Sequence, residues 1–339
     1  MKIRRAPRVL LGACLVLCVS LGLQGCDEGG AGSSLATRAS SAAASSSTAS
    51  SAKASAALGR AAYGEPLAVE GMVFVPGCSL ELGPGATCPA VADLLVERFE
   101  VSRGQWRRWL AEGSAETFPL AEAEAWGVDG DTWPATWMTL EEAEDYAVAR
   151  GLRLPTACEW LRIAGGQRGR PWPWGAGRAR AVANTLELGL GRLLACGTFE
   201  RGRSPEGVHD LLGNAAEWTR GRVTESLAAR GHRDGALGGS YRTRGRPLSG
   251  PTSEGGLAYN EQGFDRRHRA ADLGFRCVAG AEEYLRSQAS GWSRDAALLG
   301  RLRSVGQSWG GAALPLLERL AAEEGAAPGL RALLEGARR

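Results

Sequence analysis

Residues 207–218 read GVHDLLGNAAEW. Asp210, Gly213 and Asn214 favour turns, so the chain is predicted to change direction here rather than to continue a regular element. Trp218 closes the stretch and is better suited to a core than to a binding surface, because large aromatic side chains dominate the burial of loop-rich domains. The stretch therefore predicts an irregular segment that ends on a buried tryptophan.

The sequence on either side predicts a domain with little regular structure. Met72-Val73-Phe74-Val75 indicates a strand that runs into a turn at Pro76-Gly77. Beyond about residue 166, Gly, Arg, Trp and Pro are frequent, which predicts loops with a few short strands.

Three helices are predicted before that point, each from a capping box. In each, a Ser or Thr is followed three positions later by Gln or Glu: Ser102 with Gln105, Thr139 with Glu142, and Thr156 with Glu159. Their inward faces are predicted to carry Trp106, Trp109, Leu110, Ala143, Tyr146 and Ala147. The second helix should end at Gly151 and the third at Gly165-Gly166.

Residues 281–339 are predicted to form a helical extension. Leucines recur there at helical spacing, and Gly306, Gly310-Gly311 and Pro328-Gly329 divide them into segments. We predict two or three small helices packed on the main domain. The alternative is a separate appendage that binds a partner.

Residues 1–25 resemble a bacterial lipoprotein signal peptide. Cations precede an apolar stretch, residues 9–23, that is short for a membrane span, and Leu23-Gln24-Gly25-Cys26 resembles a lipobox. We predict cleavage before Cys26 and lipidation of that thiol, which would anchor the chain in the cell envelope. The anchor would lie at the periplasmic face of the inner membrane or in the outer membrane. The alternative is an ordinary secretory signal with a chance cysteine.

Residues 26–66 are predicted to be a flexible tether, because they are mostly Ser, Ala, Gly and Thr and cannot bury a core. A coil of about 35 such residues has a mean reach of roughly 30–35 Å.

Charge and residue content argue against two kinds of function, nucleic-acid binding and zinc binding. The formal charge of +3 includes four cations of the signal peptide, so the remaining chain sits near −1 (+3 − 4). No basic run with interleaved aromatics points to a nucleic-acid partner. The absence of a C-x-x-C pair and the presence of only 3 histidines argue against a zinc site. Cys78 and Cys88 lie close in sequence and are candidates for a disulfide bridge.

Seven segments, in order, resemble the formylglycine-generating enzyme, or sulfatase-modifying factor, family. They are Phe99–Ser102, Trp133–Trp137, Leu154–Trp160, Trp172–Gly175 with Asn184 after it, residues 207–218, Leu237–Tyr241 and Leu273–Cys277. The resemblance covers about residues 67–280. It implies an α+β, C-type-lectin-like formylglycine-generating-enzyme fold that is rich in loops.

Most of the matching residues are expected to be structural. Trp160, Trp174 and Trp218 should lie in the core, and Arg276 should make a buried ion pair or donate to loop carbonyls. Gly238 and Gly239 should allow close backbone approach. His209 should pack rather than bind a ligand, whereas His232 and His268 should be exposed.

The resemblance also implies a calcium site. In the family, the segment matching 210–217 binds calcium through two side chains and two backbone carbonyls, which correspond here to Asp210 and Glu217, and to Gly213 and Ala215. Such an oxygen set suits calcium. The alternative is that Asp210 and Asn214 only form the turn and Glu217 is a cap. A second family calcium site would begin at Asn184, but its later acidic ligand has no clear match.

This chain lacks the reactive groups that the resemblance implies for the family's oxidase chemistry. The resemblance implies copper-binding thiolates just after the Gly-Gly-Ser segment, yet residues 240–276 contain no cysteine, and Thr243 stands at the first thiol's place. Copper is therefore not expected. In some members the cysteine matching Cys277 forms a structural disulfide, but its partner position holds Ala147, so Cys158 or Cys196 are candidate substitutes.

These observations predict a non-catalytic domain that binds an envelope protein, peptide or glycan. The proposed binding loop comprises Ser240 and two arginine clusters: Arg242, Arg244, Arg246, Arg266, Arg267 and Arg269. The alternative reading of this loop is that the arginines only solvate it. The alternative function is an oxidoreductase or maturation enzyme of the same superfamily with a different active site. A third class is a purely structural envelope protein.

Overall fold

The computed structural model describes residues 68–79, 88, 90–113, 130–177, 179–221, 234–247, 260–292 and 295–339. The expected signal peptide, Cys26, the tether and His232 lie outside the described residues. Within the described part, no helix is both long and apolar enough to cross a membrane.

Short strands and short helices alternate with long loops, as the composition predicts. The strands are β1 (Met72–Val75), β2 (Leu94–Glu97), β3 (Ala216–Thr219), β4 (Gly235–Leu237), β5 (Gln262–Gly263), β6 (Leu273–Gly274) and β7 (Val278–Gly280). The α-helices are α1 (Arg103–Ala111), α2 (Leu140–Ala149), α3 (Ala157–Gly165), α4 (Ala281–Ala289), α5 (Ala296–Trp309), α6 (Leu314–Ala321) and α7 (Pro328–Ala337).

The first sheet is antiparallel, in the order β1-β2-β7. The predicted strand at residues 72–75 is confirmed, and its four side chains are all buried. Successive strand residues face opposite sides of a sheet. Met72 and Phe74 accordingly join one hydrophobic cluster, while Val73 and Val75 join a second one around Trp160. This sheet therefore separates two cores.

The second sheet has the order β5-β4-β3-β6, with β3 antiparallel to β4 and parallel to β6. Glu217 lies opposite Leu237 on one side and Gly274 on the other. The pairing brings together three segments that are far apart in sequence, and their junction holds the candidate site.

All three predicted capping boxes are confirmed, with the side chain and the backbone bonded in both directions. The inward positions are buried as expected, except that Leu110 is half-buried. Trp106 packs on Trp109 and Tyr146 at centroid distances of 4.7 and 5.5 Å, and Phe275 joins them edge-on at 5.7 Å. An aromatic cluster thus joins α1 and α2 to the loop after β6.

The described part of residues 281–339 contains four α-helices and a short 3-10 helix (Gly310–Ala313) rather than the two or three helices expected. One of the additional helices, α4, follows β7 without a loop. The extension shares the hydrophobic cluster of β1: the Trp309 indole N–H donates to the Met72 carbonyl at 3.0 Å. Helices α5 and α7 contact each other closely, since a Cβ at Gly306 would overlap the Leu333 backbone.

The expected disulfides are wrong. Cys88 bonds to Cys158, whereas Cys78, Cys196 and Cys277 are free thiols. Cys78 lies opposite Val91 in an isolated bridge, and Cys277 is buried beside Glu97. The bridge therefore attaches the segment before β2 to the start of α3.

We expect Cys158→Ser to lower the free energy of unfolding by about 4 kcal/mol, because the bridge closes a loop of 70 residues and restricts the unfolded chain. Urea unfolding followed by tryptophan fluorescence measures the change. Cys78→Ser, which removes a half-buried free thiol, is the matched control and should change stability little. Equal losses in the two variants would contradict the assigned pairing.

Candidate functional site

The centre of the candidate site is a buried ion pair between Glu217 on β3 and Arg276 after β6. The side chains are 1% and 0% exposed, and both carboxylate oxygens accept from the guanidinium at 2.6 Å. The Trp160 indole N–H donates to the same carboxylate at 2.8 Å. Arg276 also donates to the His209 carbonyl at 2.8 Å. The predicted role of Arg276 is confirmed, with both the ion pair and a loop carbonyl as partners.

A second acid, Glu100, lies buried beside this pair. Its carboxylate accepts from the Asn214 amide at 2.9 Å and from the Ala215 backbone N–H at 3.0 Å. Asn214 has a left-handed backbone with φ of 60°, a conformation that asparagine tolerates, and its side-chain oxygen accepts from Asn184. Glu100 and Asn184 thus hold the predicted turn in place.

The third acid is Asp210, at the start of the turn. Its carboxylate accepts from the Gly197 N–H at 2.6 Å. Burial raises the pKa of Asp210 to about 6, against the opposing effect of that hydrogen bond. Burial also raises the pKa of Glu100 well above its usual range, and the charges of Asp210 and Glu217 add to this effect. The site therefore holds three acids against one guanidinium and favours protonation.

The acidic side chains of the expected calcium set contact other groups. Glu217 is bonded to Arg276 at both oxygens, so a cation there would lie beside a positive charge. Within the described ranges, no three His, Cys, Asp or Glu side chains form a group that could hold a metal ion. Calcium binding through two side chains and two backbone carbonyls stays a prediction, and it requires Glu217 to leave Arg276.

The loop after β4 is tightly held. Gly239 has φ of 65°, and a Cβ there would overlap Thr243 and Asn260, so the predicted need for glycine is confirmed. The Thr243 hydroxyl accepts from the Ser240 N–H at 2.8 Å. Ser240 is buried and donates to Asp272 at 2.6 Å, which removes it from any accessible binding surface.

The arginines of the expected binding loop have different environments. Arg266 bonds to Glu144 and Asp234, and Arg269 forms a two-point pair with Glu142. These two therefore hold the loop against α2 and the start of β4. The remaining four are exposed: Arg242, Arg244, Arg246 and Arg267. Three exposed arginines thus lie close together in sequence at residues 242–246, whereas Arg266 is exposed but bonded to two carboxylates.

The two described histidines occupy packing positions. His209 is buried against Phe99 at a ring distance of 4.9 Å, which confirms its expected packing role. His268 is half-buried and stacks on Phe264 at 4.4 Å, so its expected exposure is wrong.

The three tryptophans expected in the core divide into two groups. Trp160 and Trp218 are fully buried, as expected. Trp174 is half-buried and stacks on Trp172 at 5.5 Å, and both rings line a pocket. The expected core position of Trp174 is therefore wrong, because the Trp172-Pro173-Trp174 pattern does not distinguish a core residue from a pocket wall.

The family comparisons agree with the resemblance found in the sequence. Residues 60–281 match the model described as a sulfatase-modifying factor enzyme 1-like domain. Hercynine oxygenase of Mycolicibacterium smegmatis is 26% identical over 201 residues, which cover 46% of this chain and 46% of the relative. Inactive C-alpha-formylglycine-generating enzyme 2 of Bos taurus is 27% identical over 194 residues, 53% of this chain and 58% of the relative. The chain thus spans about half the length of these relatives.

A solved structure of CarF aligns with 61% of this chain and 97% of its own, at 18% identity and a TM-score of 0.44. The family match, together with small sheets, short helices and a helical C-terminus, confirms the expected α+β, loop-rich fold.

We expect Asp210 to contribute a downward slope to the free energy of unfolding as pH rises from about 4 to about 6. The folded state holds the Asp210 proton more tightly than the unfolded chain does, so ionisation favours unfolding. Asp210→Asn keeps an acceptor for the Gly197 N–H and removes the titrating group, and should therefore flatten this slope.

Urea titrations across that pH range, in the presence of a chelator, measure the slope. Asp145→Asn changes an exposed aspartate on α2 and should leave it unaltered. An unchanged slope in Asp210→Asn would refute the raised pKa. The wild-type titration is then repeated with calcium in place of the chelator. Disappearance of the slope under that condition would favour the calcium site.

Proposed function

The chain belongs to the sulfatase-modifying factor enzyme 1-like domain family, and we propose that it is a non-catalytic member that binds a partner at the cell envelope. The observation that carries this proposal is the absence of cysteine from residues 240–276, where the resemblance implies the catalytic thiols. Thr243 stands at the place of the first thiol, and its hydroxyl is bonded to Ser240. A hydroxyl is a poor ligand for copper(I), which prefers soft thiolates.

Two of the three free thiols in the described part, Cys196 and Cys277, support the same proposal. Burial raises the pKa of the Cys277 thiol well above its usual range, and the charge of Glu97 adds to the effect. Burial likewise raises the pKa of Cys196, with added effects of Glu100 and Asp210. Because the thiolate is the form that binds metal and attacks substrates, these two groups are poorly suited to redox chemistry at neutral pH.

The alternative is an oxidoreductase or maturation enzyme with a different active site. The similarity to hercynine oxygenases favours it, since those relatives are enzymes. Against it, His209 and His268 pack on different aromatic rings, Phe99 and Phe264, so neither is placed beside the other as a metal ligand.

The partner would bind at the exposed first arginine cluster, Arg242, Arg244 and Arg246. These residues lie on a loop that is held by short hydrogen bonds, so little conformational entropy would be lost on binding. A lipid on Cys26 and the Ser/Ala-rich segment of residues 26–66 would present this surface away from the membrane. Holding this binding surface at the membrane, at the reach of the tether, would then be a large part of the protein's function.

We expect the copper-loaded full-length chain to form no formylglycine from a sulfatase-type cysteine peptide in air. Mass spectrometry of the peptide measures the product, and an active family member is the positive control. Cys78→Ser controls for copper held by the half-buried free thiol. A parallel incubation with Fe²⁺ and hercynine tests the alternative. Stoichiometric copper binding with formylglycine formation, or turnover of hercynine, would refute the non-catalytic proposal.

We expect cells that express the full-length chain with an alkyne-labelled fatty acid to label the protein and retain it in the membrane fraction. Cys26→Ser should lose the label and enter the soluble fraction, because the acylated thiol is the anchor. Cys18→Ser, which alters a cysteine inside the expected signal peptide, should keep both properties. A labelled Cys26→Ser protein would contradict the lipid assignment.

A further inference from the structure

A pocket of about 570 Å³ lies next to the exposed arginine cluster. Its volume is in the range of small-molecule sites, roughly 300–1,000 Å³. Trp172 and Trp174 form one wall, Leu212 contributes from the turn, and Gly245 from the arginine loop. The pocket therefore joins the central turn to the proposed binding loop.

Contacts within the protein hold the aromatic wall in place. The two indole rings are nearly parallel, at 11° and 5.5 Å between centroids. The Trp174 N–H donates to the Gly177 carbonyl at 2.8 Å, and Trp172 and Gly175 form a β-bridge. A half-buried ring held in this way offers a flat apolar surface at little entropic cost.

A hydrogen-bond acceptor and a hydrogen-bond donor complete the lining of the pocket. The Glu187 carboxylate is positioned by the Gly245 N–H at 3.1 Å. Burial alone would raise the pKa of Glu187, but hydrogen bonding from Thr185 and the nearby Arg244 charge lower it, so it stays an acceptor. Arg180 lines the same pocket and supplies donors.

We propose that this pocket binds a saccharide. A sugar ring has an apolar C–H face that can lie on an indole and hydroxyls that can pair with a carboxylate and a guanidinium, which are the groups present here. This inference rests on the proposed binding function and names its ligand class.

A basic peptide fits the pocket less well. Although an aromatic ring with a carboxylate can hold a cation, Glu187 is the acid among the lining residues, and Arg180 and Arg244 lie near it. Their charges would repel a lysine or arginine side chain. A neutral ring that donates and accepts hydrogen bonds avoids this repulsion.

The test uses the fluorescently labelled full-length chain in a detergent without a sugar headgroup. A glycan array of hexose, N-acetylhexosamine and uronic-acid oligomers identifies binders, and calorimetry with the best oligosaccharide measures Kd. Oligolysine is the peptide probe. We expect Trp174→Ala to raise Kd about tenfold or more, as loss of a stacking surface does.

Gly245→Val gives a second variant that does not delete an aromatic ring. A Cβ at Gly245 would lie 3.4 Å from Leu212 and Thr185, at the near limit of ordinary contact, and the γ-methyls of valine would occupy pocket volume. Phe99→Ala removes a partly exposed ring that is not among the pocket residues and should leave Kd unchanged. Near-ultraviolet circular dichroism verifies that each variant is folded.

Binding of a glycan that Trp174→Ala and Gly245→Val both weaken supports the inference. Three outcomes overturn it: no glycan bound, a bound glycan unaffected by both folded variants, or binding of oligolysine only. These outcomes are independent of the formylglycine and hercynine assays. A failed array therefore leaves the non-catalytic proposal standing, and turnover in those assays would refute that proposal without reference to the pocket.

Discussion

The buried pair between Glu217 and Arg276 is the interaction on which the rest of the domain depends. Neither side chain is accessible to solvent, so each charge is tolerated only because the other neutralises it. Through this pair, β3 is attached to the segment after β6, and Trp160 adds α3 to the same carboxylate. Removing one partner from such a pair typically costs about 3–5 kcal/mol, because the other is left buried and charged. The strands of this domain span only two to four residues. The pair therefore provides connections between distant segments that longer sheets would otherwise provide.

The same pair sets the electrostatics of the site. Glu100 and Asp210 lie close enough to share the field of Arg276, but one guanidinium does not neutralise three acids, and the pKa values of Glu100 and Asp210 rise. A charge excess of this kind can be relieved by protons or by a cation. Because Glu217 is bonded to Arg276 at both oxygens, a cation has less access to that carboxylate, and the raised pKa values of Glu100 and Asp210 favour protons instead. A calcium ion at the site that the resemblance implies would have to compete with Arg276 for the Glu217 carboxylate.

Hydrogen bonds connect the described residues that follow β4 to distant segments of the chain. Thr243 bonds to Ser240, Ser240 bonds to Asp272, and Asn260 donates to the Arg244 carbonyl. These contacts are polar but unreactive. In the described part of this loop, Arg242, Arg244 and Arg246 are exposed, and Gly245 between them lines the aromatic pocket.

Local features could be predicted from the sequence. The capping boxes at Ser102, Thr139 and Thr156 depend on residues three positions apart, and they formed as predicted. The strand predicted from the apolar run at residues 72–75 is also present. The missing thiols of the 240–276 segment are likewise a property of the sequence alone. The tertiary structure decided which partners meet across long separations. Cys88 bonds to Cys158 rather than to the nearby Cys78, Arg269 bonds to Glu142 rather than facing solvent, and Trp174 lines a pocket rather than the core. The physical reason is that local hydrogen bonds require only the right neighbours in the chain, whereas burial and long-range pairing depend on how distant loops pack, which local patterns do not encode.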